Sequence, residues 1–411
     1  MVNLMKVTIE KKSVITDLKL DTLLLVLTSL VFLTGIFFRV NPIFAEIYTF
    51  LLVLTGCVSF VLLLHMNYNT FKFQFLREIK LKIHDWYLLF SFLSFYFYCS
   101  FHVNKLNDVV FFLKMICSVS LSFISAYLVA NFLISKPGRL LTVGICVKMF
   151  NVLLISFALF LVFFVFPEEM ASSDYSRSNC VATYVFIASG LSVILLNVSQ
   201  AFFFSIVGIF VCILFHSRAA MLSILVMLAL QFLFFYLKSN TVKYLVVFGF
   251  LVSCCTLFVC YLNITNWVPS IGTYHFMGKH ITSGRVGLWT QVINQAHDFF
   301  YFGEHLSKEP LFYHGKYLST HNAYLSIYLK TGFVGLLLLL NLLLVLIARV
   351  WSNNRVLSYV LGFCFLNMFE VCMFYNNVPS QLVFWFCIFS FCFLSSRDSL
   401  YANESVRQCR V

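Results

Sequence analysis

Residues 322–348 read NAYLSIYLKTGFVGLLLLLNLLLVLIA, a continuous apolar run whose single charge is Lys330. As a helix at 1.5 Å per residue it extends about 40 Å, enough to cross the ~30 Å hydrocarbon core of a bilayer. Its apolar residues do not alternate with polar ones, which excludes a β-barrel strand. Further runs of the same character lie near 22–38, 43–65, 84–101, 109–134, 140–166, 180–197, 199–215, 219–237, 244–263, 356–376 and 379–396. Composition agrees: 61% of the 411 residues are hydrophobic and 11% charged, against about 25% charged in a soluble chain. Backbone groups in lipid must bond within their own segment, so spans of this kind are helical. The sequence therefore predicts an all-α polytopic membrane protein of about 12 transmembrane helices, one membrane domain over 1–411. The segment 264–321, between spans nine and ten, is expected as one large loop. Within it, the stretch from Arg285 through Trp289 to Phe300 has the amphipathic pattern of a helix lying along the membrane interface.

Positive charge sets the orientation. With the N-terminus cytoplasmic, Lys6, Lys11, Lys12 and Lys19 share a side with loop residues Lys72, Arg77, Lys80, Lys82, Lys136, Arg139, Lys238, Lys243, Arg349 and Arg355. Arg397, Arg407 and Arg410 of the C-terminal tail join them, so the bias is strongly to that side. Lys114, Lys148 and Lys330 fall within spans, and the remaining basic residues lie opposite. Both termini are then cytoplasmic and the 264–321 loop external. The polar, basic stretch Met1–Asp21 leads into the run Leu23–Phe38 without a small-residue cleavage site, so the first span is expected to be retained.

The net charge of +12 reads as this loop bias rather than as nucleic-acid binding. The 14 cysteines have no metal-ligand spacing, and Cys254–Cys255 lies inside an apolar run. Thiols there behave as small hydrophobes, so neither a zinc site nor a disulfide framework is expected. The sequence holds no P-loop, no Gly-rich dinucleotide turn and no Asp-x-Asp motif. No metal, cofactor or nucleotide-driven transport is expected.

Three polar clusters fall on the external face: His216-Ser217-Arg218 between spans seven and eight, Ser283-Gly284-Arg285 in the loop, and Ser319-Thr320-His321-Asn322 opening span ten. A guanidinium is planar, permanently charged and matched to phosphate oxygens, so two on one face suit a diphosphate. Ser319 or Thr320 can cap the helix that starts near His321, whose free N–H groups favour an anion. Plainer readings stand beside these. Arg218 also fits an interfacial anchor, Arg285 a solvated loop charge, and His321 a polar helix start. Lys330 fits either a substrate role or an ion pair with Glu370 of the next span.

The spacing after His321 carries a resemblance. HNAYLSIYLKTGFVG, residues 321–335, resembles the signature of the O-antigen ligase family: His-Asn, nine residues, Gly, two residues, Gly. Asn322, Gly332 and Gly335 stand where that pattern wants them. HSRAAML at 216–222 and SGRVGLW at 283–289 resemble the family's two arginine elements, one after a span ahead of the large loop and one within it. The segment FFYFGE at 299–304 departs from the Pro and paired-glycine turn common in relatives.

The resemblance implies a GT-C-like enzyme at the periplasmic face of a bacterial inner membrane. Such ligases move a glycan from an undecaprenyl-diphosphate carrier to the lipid A–core, with no metal or cofactor. The implied partners are that donor, that acceptor and membrane lipid. Arg218 and Arg285 would hold the diphosphate and His321 would act as base on the acceptor hydroxyl, with inversion at the anomeric carbon. Asn322, Gly332 and Gly335 would support them. An O-antigen polymerase uses the same carrier and face. A multispan transporter or flippase fits the span count, but the internal repeats common in that class are not visible here.

Overall fold

The computed structural model describes residues 83–110, 139–160 and 176–371, apart from breaks at 238, 277–278, 281, 283, 298, 307–310, 314–315 and 319, with scattered residues at 112–122 and 384–388. Predicted spans near 22–38 and 43–65, most of those near 109–134 and 379–396, and Lys114 lie outside the described residues.

The long helices are α1 (Ile83–Ser100), α2 (Arg139–Phe160), α3 (Ser176–Leu195), α4 (Val198–Leu214), α5 (Arg218–Tyr236), α6 (Asn240–Trp267), α7 (Arg285–His297), α8 (Ala323–Val350) and α9 (Asn354–Asn367). Two short antiparallel hairpins, β1 (His275–Phe276) with β2 (Lys279–His280) and β3 (Leu311–Tyr313) with β4 (Lys316–Leu318), interrupt the loop around α7. Among the described residues α5, α6 and α8 are long and apolar enough to cross a membrane. The span expected over 356–376 is a shorter helix. α9 closes at Asn367, whose Nδ2 returns to Phe363 O at 2.7 Å. Its 14 residues cover only about 21 Å.

Contacts group 83–116 and 143–380 into one compact unit, and every element discussed below belongs to it. A second unit, 1–82, 117–142 and 381–411, lies almost wholly outside the described residues. In the first unit α3, α4, α5 and α9 pack on one another, while α8 runs along α1 and also touches α7 and α9. Lipid tails are as apolar as leucine, so close packing holds such helices together. Tyr359 of α9 shows this: its ring stacks on Phe186 at 5.9 Å and lies so near Gly190 that a Cβ there would sit 2.2 Å from Cε2. Two buried hydroxyls bond back along their own helices, Ser192 to Ala188 O at 3.0 Å and Ser223 to Ala219 O at 2.7 Å, so each is satisfied without a partner from a neighbouring helix.

One end of this unit is basic and stitched by side chains. Lys243 Nζ donates to Trp351 O at 2.5 Å and Asn354 Oδ1 at 2.6 Å. Asn354 Nδ2 donates to Phe234 O at 2.8 Å, and Arg355 Nη1 to Leu196 O at 2.7 Å. A cation on the carbonyl that ends α8 also meets the negative end of its helix dipole. Arg218 opens α5 and Phe234 lies near its close, about 24 Å away along the axis.

The run that reads as one uninterrupted helix is broken. Gly332 adopts φ 67°, ψ −167° inside α8, a conformation essentially reserved for glycine. The break is filled by the turn that follows α7. Glu304 N donates to Leu329 O at 3.2 Å, Phe333 N to Phe300 O at 2.8 Å and Val334 N to Tyr301 O at 3.3 Å. Tyr98 of α1 donates its hydroxyl to Thr331 O at 3.0 Å. Two backbones meet here without intervening side chains: a Cβ on Gly332 would lie 2.3 Å from Tyr301 O, and one on Gly303 (φ 68°) 2.4 Å from Lys330 C. The far side of the turn is tied to α1 through His102, whose Nε2 bonds Phe302 O and whose carbonyl accepts from Leu306 N at 3.2 Å. Gly335 lies one turn beyond the break, where a Cβ would strike Thr331 Oγ1 and press on the Tyr98 ring.

Candidate functional site

Arg218, Arg285 and His321 each stand at or just before the start of a helix. Arg218 is the first residue of α5, reached through a tight reversal in which His216 has φ 50° and Ser217 N donates to Cys212 O at 2.9 Å. Arg285 is the first residue of α7, set by Gly284 at φ 71° and by its own N–H to Thr282 O at 2.9 Å. His321 has φ 49°, two residues before α8. A left-handed histidine carries backbone strain, which concentrates at functional sites.

Asn322, not Ser319 or Thr320, caps α8. Its Oδ1 accepts from Leu325 N at 3.0 Å, while its Nδ2 donates to Met368 O at 2.9 Å. One amide thus starts α8 through its oxygen and binds it to the chain leaving α9 through its nitrogen. Thr320 is buried, and its carbonyl accepts from Trp289 Nε1 at 2.7 Å. Ser319 and Ser283 lie outside the described residues.

The amphipathic pattern of α7 has a protein surface to cover it. Its apolar face, Leu288, Trp289 and Val292, is buried on Leu325 and Leu329 of α8, with Phe258 and Tyr261 of α6 and Phe369 packed around it. The 2.7 Å bond from Trp289 to Thr320 O locks this helix to the segment carrying His321. Arg285 and His321, distant in sequence, are thereby fixed side by side.

They meet on Glu370. Arg285 Nη2 donates to Glu370 Oε1 at 2.9 Å, and His321 Nδ1 lies 3.6 Å from Oε2. Glu370 is 12% exposed and His321 31%, so the carboxylate is enclosed while the imidazole still reaches the surface. Burial alone would raise the Glu370 carboxyl. The Arg285 guanidinium, and then His321, outweigh it and hold the group below the ordinary carboxylate range. Arg218 joins from α5: it lies within electrostatic range of Arg285 and of Tyr261. Tyr261 in turn donates its hydroxyl to Thr282 O at 2.6 Å, beside the start of α7. Two guanidiniums this near repel, and an anion between them relieves that repulsion.

The pairing of Lys330 with Glu370 is not what forms. Both Glu370 oxygens face Arg285 and His321, whereas Lys330 is buried beside Cys99 of α1 at the Gly332 break. Sequence reasoning placed the arginines and the histidine on one face but missed Glu370 as the common partner of Arg285 and His321. The available signal was a lone acid at the end of an apolar run, since ions there are rarely idle. Among the described residues no group of three or more His, Cys, Asp or Glu is arranged to hold a metal.

Comparison with known proteins bears on this region. The sequence model of a family described as O-antigen ligase matches residues 201–340, about a third of the chain. The match runs from α4 into α8 and includes Arg218, Arg285, His321, Asn322, Gly332 and Gly335, while Glu370 lies beyond it. No curated protein matches the chain. Over residues 201–340 the chain is thus similar to the O-antigen ligase family of membrane glycan-transferring enzymes.

Proposed function

We propose that the protein is an O-antigen ligase, transferring a glycan from undecaprenyl diphosphate to the lipid A–core on the periplasmic face of the bacterial inner membrane. The observation that carries this reading is the meeting of Arg218, Arg285 and His321 at the starts of three chain segments. The two guanidiniums bind the diphosphate of the donor. The acceptor hydroxyl oxygen attacks the anomeric carbon from the face opposite the diphosphate and gives its proton to His321 Nε2. The C1–O bond breaks, its electron pair leaves with the diphosphate, and the arginines stabilise the growing charge. Configuration at C1 inverts. No metal or cofactor enters these steps. Asn322 supports the site as the cap next to the base, and Gly332 and Gly335 by letting the 299–304 turn and α1 seat against α8. Both termini are assigned to the cytoplasm, in keeping with the basic end around Lys243, Arg349 and Arg355 opposite Arg218.

Lipopolysaccharide banding of a deletion strain with an otherwise intact O-antigen pathway tests the reading. A ligase predicts long glycan held on the lipid carrier and absent from lipid A–core, restored by the wild-type gene and not by His321→Ala. A single repeat unit on lipid A–core without a ladder would identify a polymerase instead.

A further inference from the structure

We propose that Glu370 is a positioning residue for the transfer, holding the His321 imidazole and the Arg285 guanidinium in working register through its two carboxylate oxygens. The inference rests on the transferase reading above. Its geometric basis is independent of it: Glu370 Oε1 accepts from Arg285 Nη2 at 2.9 Å, and Oε2 lies 3.6 Å from His321 Nδ1.

The contact selects which imidazole nitrogen works. A carboxylate beside Nδ1 favours the tautomer protonated there, which leaves Nε2 as the basic nitrogen. When Nε2 takes the acceptor proton, the imidazolium forms next to a negative charge already in place. The other oxygen fixes Arg285, a long side chain that would otherwise sample many rotamers, so that its remaining N–H groups face outward to an anion. The carboxylate is itself held. Met368, two residues before it, accepts from Asn322 Nδ2 at 2.9 Å, and Phe369 packs on Trp289 with ring centroids 6.3 Å apart. Segments carrying base, cation and carboxylate are thus clamped to one another by neighbouring residues. The charged and titratable groups that face Glu370 are Arg285 from α7 and His321 ahead of α8, with Arg218 of α5 and Tyr261 of α6 next to Arg285.

The experiment compares Glu370→Gln, Glu370→Asp and His321→Ala in the full-length protein, purified in nanodiscs, using a polyprenyl-diphosphate oligosaccharide as donor and lipid A–core as acceptor. Glutamine keeps volume and loses charge, whereas aspartate keeps charge and shortens the reach. Positioning predicts that Glu370→Gln lowers kcat roughly 10- to 100-fold, the usual loss when an orienting partner is removed, with a smaller rise in donor KM through Arg285. Aspartate should recover part of the rate. The Glu370→Gln and His321→Ala losses should not multiply in the double variant, because one acts through the other. A residue that merely fills space predicts the reverse order, glutamine active and aspartate not. That order, a fully active Glu370→Gln, or losses that multiply would each overturn the proposal. A wild-type protein that transfers nothing would overturn the transferase reading instead.

Discussion

Replacing Gly332 with alanine puts a methyl group where two backbones touch. The new Cβ would lie 2.3 Å from Tyr301 O, 2.4 Å from Tyr301 C and 2.5 Å from Gly303 N. None of these atoms can rotate away, so the 299–304 turn must move or α8 must rewind. Holding an L-residue at the observed dihedrals costs about 1–3 kcal/mol, and displacing a close-packed neighbour about 1–3 kcal/mol more. If α8 instead straightens, the bonds from Phe333 N and Val334 N to the turn are lost together. A total of roughly 2–6 kcal/mol corresponds to a fall of roughly 2–7 °C in Tm for a chain of this length. Thermal unfolding of the purified protein, followed by a thiol-reactive dye that reports exposure of the buried Cys99, Cys212 and Cys364, measures it. Gly249→Ala is the control, since a Cβ there meets nothing within 4 Å and a helical alanine is favoured by about 1 kcal/mol. Equal melting temperatures for Gly332→Ala and Gly249→Ala would refute the argument that backbone contact at the break holds this region together.

Other outcomes follow from the same geometry. Asn322→Ala removes a helix cap and the tie to Met368 O, so stability should fall by about 1–2 kcal/mol. Asn322→Asp, which keeps the cap and loses the donated bond, should fall between the two in the same melting assay. Glu370 is held below the ordinary carboxylate range, so its contribution to stability is present above the unfolded-state value of about 4.3 and lost as pH falls through the lower folded-state value. The Tm gap between wild type and Glu370→Gln should therefore be constant from neutral pH down to about 5 and close only in stronger acid. A gap that closes near neutrality would contradict the ion pair.

The sequence made the helical, membrane-spanning character plain because runs such as 218–236 and 323–350 carry too few charges for a soluble surface. It also marked Arg218, Arg285 and His321, since polar residues at the ends of such runs are few and one motif has fixed spacing. The break at Gly332 was not legible. A glycine in an apolar run is compatible with a helix, and what unwinds it is a turn some thirty residues earlier in the chain. The partner of the apolar face of α7 was not legible for a related reason: an amphipathic face looks the same whether lipid or protein covers it, and here Leu288, Trp289 and Val292 are buried on α8. Glu370 was visible as a charge but not as a partner. Lys330 looked equally suitable by depth along the helix, and only the packing of α7 on α8 decides which cation reaches the carboxylate.

The most direct measurement is transfer by the purified protein in a defined membrane, with a polyprenyl-diphosphate oligosaccharide as donor and lipid A–core as acceptor. The account predicts glycosylated lipid A–core and free polyprenyl diphosphate in equal amounts, with inverted anomeric configuration. Arg285→Ala and His321→Ala should abolish the product while leaving folded protein. Product that joins two carrier-linked glycans, or full activity in both variants, would contradict it.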